Sequence, residues 1–288
     1  SDGGDWRFSF VTLETSLAEN EKGRFKEVVD KITPARRKSF LVGESEKSHT
    51  AQSRFVKWIG SRNAPTVQEI EDCFDVEAVT KEFFNKYKVL FERTRAAILD
   101  VCEKNSRVKQ EFLDIGLSKK AVDGSDNETL VPNADDFAKK LLGQVVFLYF
   151  LQRKGWFGVQ TEWGDGDKKF LRHLFENRED YLTGARTGKK CNYFNDILEP
   201  LFYEALAYPR DRDYSKQFDC KIPFLNGGLF EPIYGYNWQQ FDLLLPDDLF
   251  SNNEKTKDGD IGDGILDIFD RYNFTVNESE PLETEVAV

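Results

Sequence analysis

The stretch over residues 135–155 constrains the fold of this chain more than any other part of its sequence. Its apolar residues recur in steps of three and four, which is the period of an α-helix, at Phe137, Leu141, Val145, Leu148 and Tyr149. Residues 145–151 are all apolar, so this part has no polar side to present to water. Because a helix that is apolar all round lies inside a core, the pattern predicts a central buried helix.

Other segments with the same period predict a mainly helical chain. Helices are expected over residues 76–102, 167–178, 192–207 and 262–272. Two shorter helices are expected to begin after Ser48 and Thr66, the first with Phe55 and Ile59 on one face. Glu69 follows Thr66 at the spacing of a capping box, which fixes the start of the second.

The predicted β-structure is confined to short pieces. Alternation with period two predicts strands over residues 5–14 and 36–43, although about twenty residues between them are a long connection for a hairpin. A further short strand is expected over residues 241–245, and the Asp- and Asn-rich residues 118–134 predict a surface loop. No alternating series of strands and helices is present. The predicted fold class is therefore mainly α with β pieces, an α+β fold.

Composition indicates a globular protein with an acidic surface. Hydrophobic residues make up 40% and charged residues 32%, and the formal net charge is −11. This balance argues against a free-standing, non-specific nucleic-acid binder, which would carry a basic surplus. The longest apolar run is too short to span a bilayer, so no membrane partner is expected. Four scattered cysteines predict free buried thiols in a reducing cytoplasm.

Several short basic clusters are candidates for contact with a DNA backbone. The clusters selected are Arg36, Arg37 and Lys38, and Arg153 with Lys154. Solvated surface charge explains such clusters in most proteins. For Arg153 and Lys154 a second explanation is stronger, because cations at the end of a helix are stabilised by its negative pole.

The search for catalytic motifs leaves one weak candidate. Asp219 and Lys221 match the Asp-x-Lys pattern of magnesium nucleases, in which carboxylates hold the metal and the lysine orients water. So short a pattern arises readily by chance in a sequence rich in charge. Neither His49 nor His173 lies in a ligand motif, so no metal site is predicted. The chain contains no Asn-Pro-Pro-Tyr, the motif with which amino-methyltransferases grip a flipped base.

A glycine pair in the stretch IPFLNGGLFEP predicts a structural turn. Asn226, Gly227 and Gly228 separate two apolar pairs, and Asn-Gly favours the positive φ angles of a tight turn. A phosphate-binding loop would lead into a helix, whereas Pro232 discourages one here. We therefore expect a corner of the chain at this point.

Seven segments in order resemble one family of DNA-modifying enzymes. These are DWRFSF, RRKSFLVGESEKSHTAQ, DFAKKLLGQVVFLYFLQRKGWFGV, FNDILEPLFYEALA, IPFLNGGLFEP, LPDDLF and ILDIFDRYNFTVNESEPLETEVAV. Together they resemble the region upstream of the methyltransferase domain in type IIG restriction–modification enzymes and related adenine-specific DNA methyltransferases. LNGGLFEP and DRYNFTV…PLETEVAV are the most specific of them. The resemblance covers nearly the whole chain.

The resemblance implies a connector within a longer protein. The absence of an initiator methionine and the abrupt ends at Ser1 and Val288 agree with a segment cut from a longer chain. Residues 1–62 are expected to complete an N-terminal β-containing domain of α/β type. Residues 63–288 are expected to form a mainly helical spacer leading to a methyltransferase domain outside this segment.

The resemblance also implies partners and cofactors for the intact protein. It would methylate adenine in double-stranded DNA with S-adenosylmethionine and in some members cleave DNA with Mg²⁺; no cofactor is expected within the present segment. The segment itself would act as a spacer that docks on the methyltransferase and positions DNA. Two alternatives stay open: a magnesium-dependent nuclease module, and a protein-interaction module of a phage-defence complex.

Overall fold

The fold is known from a computed structural model. It describes residues 6–12, 15–19, 25–29, 36–42, 48–59, 63–74, 76–122, 128–182, 188, 190–225 and 228–272, with the backbone alone at residues 12, 15–19, 25–29, 36–38, 41, 50, 76–80 and 122. The chain divides into two compact units, the first formed by Ser1–Phe83 with Arg271–Val288 and the second by Phe84–Asp270. The boundary predicted at residue 62 falls inside the first unit.

Four strands of the first unit form two nested antiparallel pairs. The outer pair is β1 (Trp6–Thr12) with β4 (Arg36–Val42), in register from Trp6 opposite Val42 to Thr12 opposite Arg36. The inner pair is β2 (Thr15–Glu19) with β3 (Phe25–Val29). Both predicted strands are therefore present and paired. The connection is long because it contains a second hairpin, which the sequence patterns did not reveal.

A cluster of phenylalanines packs the outer strand pair against the helices that follow. Phe8 and Phe40 are cross-strand partners, and each lies within 6 Å of the rings of Phe55 and Phe74, at centroid distances of 5.0 to 5.8 Å. Phe74 is buried, whereas Phe8 stays half-exposed. Aromatic pairs at these distances add about 1 kcal/mol each beyond the area that they bury.

The two short helices of this unit begin where the sequence predicts. Helix α1 spans His49–Phe55, and α2 spans Val67–Cys73 with the complete capping box: Glu69 N donates to Thr66 Oγ1, and Thr66 N donates to Glu69 Oε2. The prediction that Ile59 shares a helix face with Phe55 is wrong. Because α1 ends at Phe55, Ile59 follows a 3₁₀ turn and is 79% exposed.

Helices build most of the second unit. Helix α3 spans Val76–Lys104, its first residues counted with the first unit. It is followed by α4 (Ser106–Asp114), α5 (Ala134–Arg153) and α6 (Phe170–Glu176). The predicted helix over 192–207 exists as two π-helical stretches, Tyr193–Leu198 and Leu201–Leu206. Mainly α with short antiparallel strand pairs is thus the observed class, as predicted.

Helix α5 is the core of this unit, as its sequence predicts. Asn133 caps its first turn, with the Asn133 side chain accepting a hydrogen bond from Asp135 N at 3.2 Å. All five residues assigned to the inner face are buried: Phe137, Leu141, Val145, Leu148 and Tyr149. Burying one side chain of this size contributes about 2 kcal/mol.

The sequence predictions fail at three places in this unit. Residues 118–134 contain the hairpin of β5 (Ser118–Val122) and β6 (Glu128–Pro132) instead of a loop. Residues 241–245 form no strand. The helix expected over 262–272 is only α7 (Ile265–Phe269), because the residues before Gly264 close a loop in which Gly262 N donates to Glu254 O. The tail beyond residue 272 lies outside the described residues.

A partly buried arginine between two carboxylates ties α6 to α7. The Arg172 guanidinium lies 2.9 Å from Asp267 Oδ1, 2.8 Å from Asp270 Oδ2 and 2.7 Å from Ser251 Oγ. Although burial alone would lower it, the pKa of Arg172 is raised by Asp270 and Asp267. Tyr149 Oη donates to Asp270 Oδ1 at 2.9 Å, so the network also reaches α5.

All four cysteines are buried and free, as predicted. Burial raises the pKa of Cys102 and Cys220 to about 11 and that of Cys191 to about 12. None of these three thiols is therefore an activated nucleophile at neutral pH. No helix in the described part of the chain has the length and apolarity needed to cross a membrane.

Candidate functional site

A two-stranded hairpin carries the residues of the nuclease hypothesis. Strand β7 (Tyr214–Ser215) pairs with β8 (Cys220–Lys221), and residues 216–219 turn the chain between them. Cys220 is buried and anchors the hairpin, and Lys221 N donates to Val159 O at 2.9 Å. Asp219 ends the turn with a φ of 48°, a left-handed conformation that is uncommon outside glycine.

Asp219 and Lys221 are each held by a different neighbour. The Asp219 carboxylate accepts a hydrogen bond from Tyr214 Oη, which raises the pKa of the Tyr214 phenol. Lys221 Nζ donates to Thr161 O at 2.6 Å. Within the described residues no cluster of three or more His, Cys, Asp or Glu could hold a metal ion. The nuclease hypothesis stays a prediction of the sequence.

The same hairpin borders a pocket of about 630 Å³ in the second unit. Its other wall is the end of the second π-helical stretch and the loop that follows it. The lining residues are Pro200, Glu204, Ala205, Arg210, Asp211, Arg212, Tyr214, Ser215, Lys216, Gln217, Phe218 and Lys221. Four of these are cationic and two are acidic, so the pocket carries a positive surplus on a chain of net charge −11.

Arg210 fixes the shape of the pocket from within the protein. Its guanidinium donates to the carbonyl oxygens of Ala205 and Tyr208 on one side and of Ile222, at 2.7 Å, on the other. Burial lowers the pKa of Arg210, with Asp213 and Glu204 opposing the shift. The side chain therefore acts as a brace between the helical stretch and the hairpin.

Arg212 and Lys216 are the cations of this pocket that have no partner within the described part of the chain. Both side chains are exposed. Arg212 has a φ of 53° and Asp213 a φ of 57°, so two consecutive non-glycine residues take the left-handed conformation beside the pocket. Such residues cost on the order of 1 kcal/mol each and persist only where their surroundings enforce them.

Sequence patterns point to this region only weakly. Arg210 and Arg212 form one of several basic pairs in the sequence, and Lys216 stands apart. The usable signal is the mixture of aromatic and basic residues in YPRDRDYSK, over residues 208–216. It does not predict the pocket, because the opposite wall comes from residues earlier in the chain.

The other predicted basic residues lie on different elements. Arg153 is in the last turn of α5 and Lys154 is its C-cap, the positions at which cations stabilise a helix. Arg36, Arg37 and Lys38 belong to β4, and their side chains lie outside the described residues. The assignment of these five residues to DNA stays a prediction.

The predicted turn at the glycine pair is described only from Gly228 onwards, since Asn226 and Gly227 lie outside the described residues. Gly228 begins a 3₁₀ turn, Gly228–Phe230, that is fastened to α5. Lys140 Nζ donates to Gly228 O and Gln144 Nε2 donates to Leu229 O, both at 2.8 Å. Phe230 is buried against Phe202.

A buried carboxyl group was not anticipated from the sequence. Glu199, between the two π-helical stretches, is 0% exposed, and neither carboxyl oxygen has a hydrogen-bond partner within the described residues. Desolvation raises the pKa of Glu199 well above its ordinary range, with Asp242 and Asp196 adding to the shift. A buried polar group without a partner is rare in folded proteins.

Comparison with known proteins gives one informative similarity. The sequence resembles that of a protein from Methanocaldococcus jannaschii named “Putative type II restriction enzyme and methyltransferase”. The two are 27% identical over 217 residues, which are 72% of this chain. No protein-family model and no solved structure matches the chain. The chain spans only 15% of the length of this relative, and the similarity supports a relation to restriction–modification proteins.

Proposed function

We propose that this chain is a connector of a restriction–modification protein and positions DNA for a methyltransferase domain elsewhere in that protein. The observation that carries the proposal is the similarity, over 217 residues, to a relative named as both a restriction enzyme and a methyltransferase. That name joins two activities in one protein, and a protein of that kind requires segments that place DNA between its domains.

The finer features of the proposal come from the sequence resemblance. The intact protein is a type IIG enzyme that methylates adenine with S-adenosylmethionine, serves in phage defence and in some members cleaves DNA with Mg²⁺. The chain itself contains no Asn-Pro-Pro-Tyr, so methyl transfer is assigned to residues outside it. Its contribution is a braced helical unit that docks on the methyltransferase.

A methylation assay tests this proposal. The whole gene that encodes this chain is expressed in a methylation-free bacterial host, beside a gene truncated to residues 1–288, and genomic DNA is sequenced for N6-methyladenine. We expect methylation at a defined sequence motif with the whole gene and none with the truncated one. No methylated adenine with the whole gene, or methylation by the 288-residue chain alone, would falsify the proposal.

The nuclease and protein-interaction alternatives remain predictions, since no contact in the described residues favours either. To distinguish the nuclease hypothesis from the connector proposal, the chain and its Asp219→Ala variant are each incubated with plasmid DNA and Mg²⁺. Nicking that is lost in the Asp219→Ala variant would establish the nuclease hypothesis. Equal nicking by both proteins, or none by either, would exclude it. A pull-down with a partner subunit addresses the second.

A further inference from the structure

The pocket beside the β7–β8 hairpin combines three features that indicate a binding site. It is a cavity of about 630 Å³ with a positive surplus on an acidic protein. Its wall contains the left-handed Arg212, and the next residue, Asp213, is also left-handed and accepts a hydrogen bond from the Arg210 guanidinium through its carbonyl oxygen. Surface charge that only keeps a protein in solution needs neither a cavity nor an enforced backbone conformation.

A hydroxyl group inside the pocket is the third feature. Ser215 lines the cavity and is only 6% exposed as a residue, but its hydroxyl oxygen is not among the buried side-chain atoms that lack a partner. The hydroxyl group can therefore donate its hydrogen to an acceptor that enters the cavity. Arg212 and Lys216 bring donors to the same cavity.

The chemistry of these groups selects the ligand. A guanidinium, an ammonium and a hydroxyl group are all hydrogen-bond donors, and the two cations favour a ligand that carries negative charge. A phosphate group offers several acceptor oxygens, and arginine matches its geometry with two parallel hydrogen bonds. Arg, Lys and Ser are also side chains through which proteins hold the DNA backbone.

We propose that this pocket binds a phosphate group through Arg212, Lys216 and the Ser215 hydroxyl. The assignment of that phosphate to the backbone of double-stranded DNA rests on the proposed function. Glu204 and Asp211 also line the pocket and oppose an anion. These two carboxylates lower the affinity of the pocket for a phosphate group. Weak, reversible binding suits a segment that positions DNA.

Binding of a short fluorescent DNA duplex, measured by anisotropy over a range of salt concentrations, tests the proposal in the 288-residue chain. The double variant Arg212→Gln/Lys216→Gln should bind about tenfold more weakly at low salt. It should also reduce the slope of the plot of log affinity against log salt by about one, because each phosphate contact contributes about 0.9 to that slope. Asp211→Asn, which removes an opposing charge, should bind more tightly.

The matched control is Lys109→Gln/Lys257→Gln. It removes the same charge from two exposed lysines that do not line the pocket, so it should change affinity less than twofold. Arg212→Gly is a second test of the site, since it removes the guanidinium while permitting the left-handed backbone. We expect it to weaken binding while the chain remains folded by circular dichroism.

The outcomes separate this inference from the proposed function. Equal duplex binding by the wild type and the double variant would overturn the pocket and leave the connector proposal intact. If the duplex does not bind, inorganic phosphate is titrated and followed by ³¹P NMR. Phosphate binding that is lost in the double variant would support the pocket and overturn DNA as the source. Absence of both interactions would overturn the inference entirely, whatever the methylation assay shows.

Discussion

At the residue scale, the residue type of a charged side chain does not determine whether that side chain is buried or exposed, because its neighbours in the fold decide this. Glu199 and Glu204 lie five positions apart in one helical region, but the first is buried and the second is exposed. Sequence patterns could not distinguish them, because π-helical stretches shift the faces that an α-helical period assigns. The same limit applies to Arg212, because no local pattern of the sequence marks its left-handed conformation.

The buried carboxyl group of Glu199 predicts a pH-dependent stability. Its pKa is raised in the folded protein, so its contribution to stability is complete below the ordinary pKa of glutamate, about 4.3, and is lost as pH rises toward the folded value. Glu199→Gln removes this dependence. The difference in melting temperature, Glu199→Gln minus wild type, is measured at two pH values. We expect this difference to be roughly 3 °C larger at pH 8 than at pH 5.

Thermal unfolding of both proteins at the two pH values measures this difference. Glu204→Gln is the matched control, since Glu204 is exposed in the same helical region. It should give the same difference from the wild type at both pH values. A Glu199→Gln variant that behaves like this control would show that Glu199 is ionised in the folded protein.

The left-handed backbone at Arg212 predicts a gain of stability on substitution by glycine. Relief of about 1 kcal/mol of strain exceeds the entropic cost of glycine, which leaves a net gain of roughly 0.5 kcal/mol. Lys109→Gly, at an exposed position inside α4, should instead lose about 1 kcal/mol. Urea unfolding of the two variants and the wild type measures whether each substitution raises or lowers the free energy of unfolding. Equal losses at both positions would contradict the strain described at Arg212.

At the element scale, the sequence predicts the elements that local patterns specify. Helix α5 and the capping box of α2 were predicted because a helical period and a three-residue spacing are properties of consecutive residues. The β5–β6 hairpin was missed because its strands bury little. Its cross-strand contacts are polar, such as Lys120 Nζ to Glu128 Oε2 at 2.6 Å, so no alternation of apolar residues marks it.

The contact between α6 and α7 depends on a single guanidinium, which gives a prediction at this scale. Arg172→Lys retains the charge but cannot reach Asp267, Asp270 and Ser251 together. Because at least one of these partly buried carboxylates would lose its partner, we expect a loss of about 2 kcal/mol in the free energy of unfolding. Arg95→Lys, at a more exposed ion pair with Asp135, should cost less than about 1 kcal/mol. Similar losses for the two variants in urea unfolding would contradict the role of the network.

At the scale of the whole molecule, the buried apolar side chains that the structure describes are distributed unequally between the two compact units. Among the described side chains, the buried apolar ones of the first unit are Cys73, Phe74 and Tyr272, whereas the second unit contains all the others. Composition alone gives no sign of this asymmetry, since apolar residues occur along the whole sequence. It depends on which segments pack together, and only the folded chain shows that.

This asymmetry predicts that residues 84–270 fold without the rest of the chain. A fragment of these residues retains α5, the Arg172 network and the pocket, so it should unfold in one cooperative transition with native near-UV circular dichroism. Arg172→Lys introduced into the fragment should lower its stability by the same amount as in the full chain, because the contacts it removes all lie within 84–270. A broad transition with exposed apolar surface, or a fragment insensitive to Arg172→Lys, would show that the first unit is needed to complete this core.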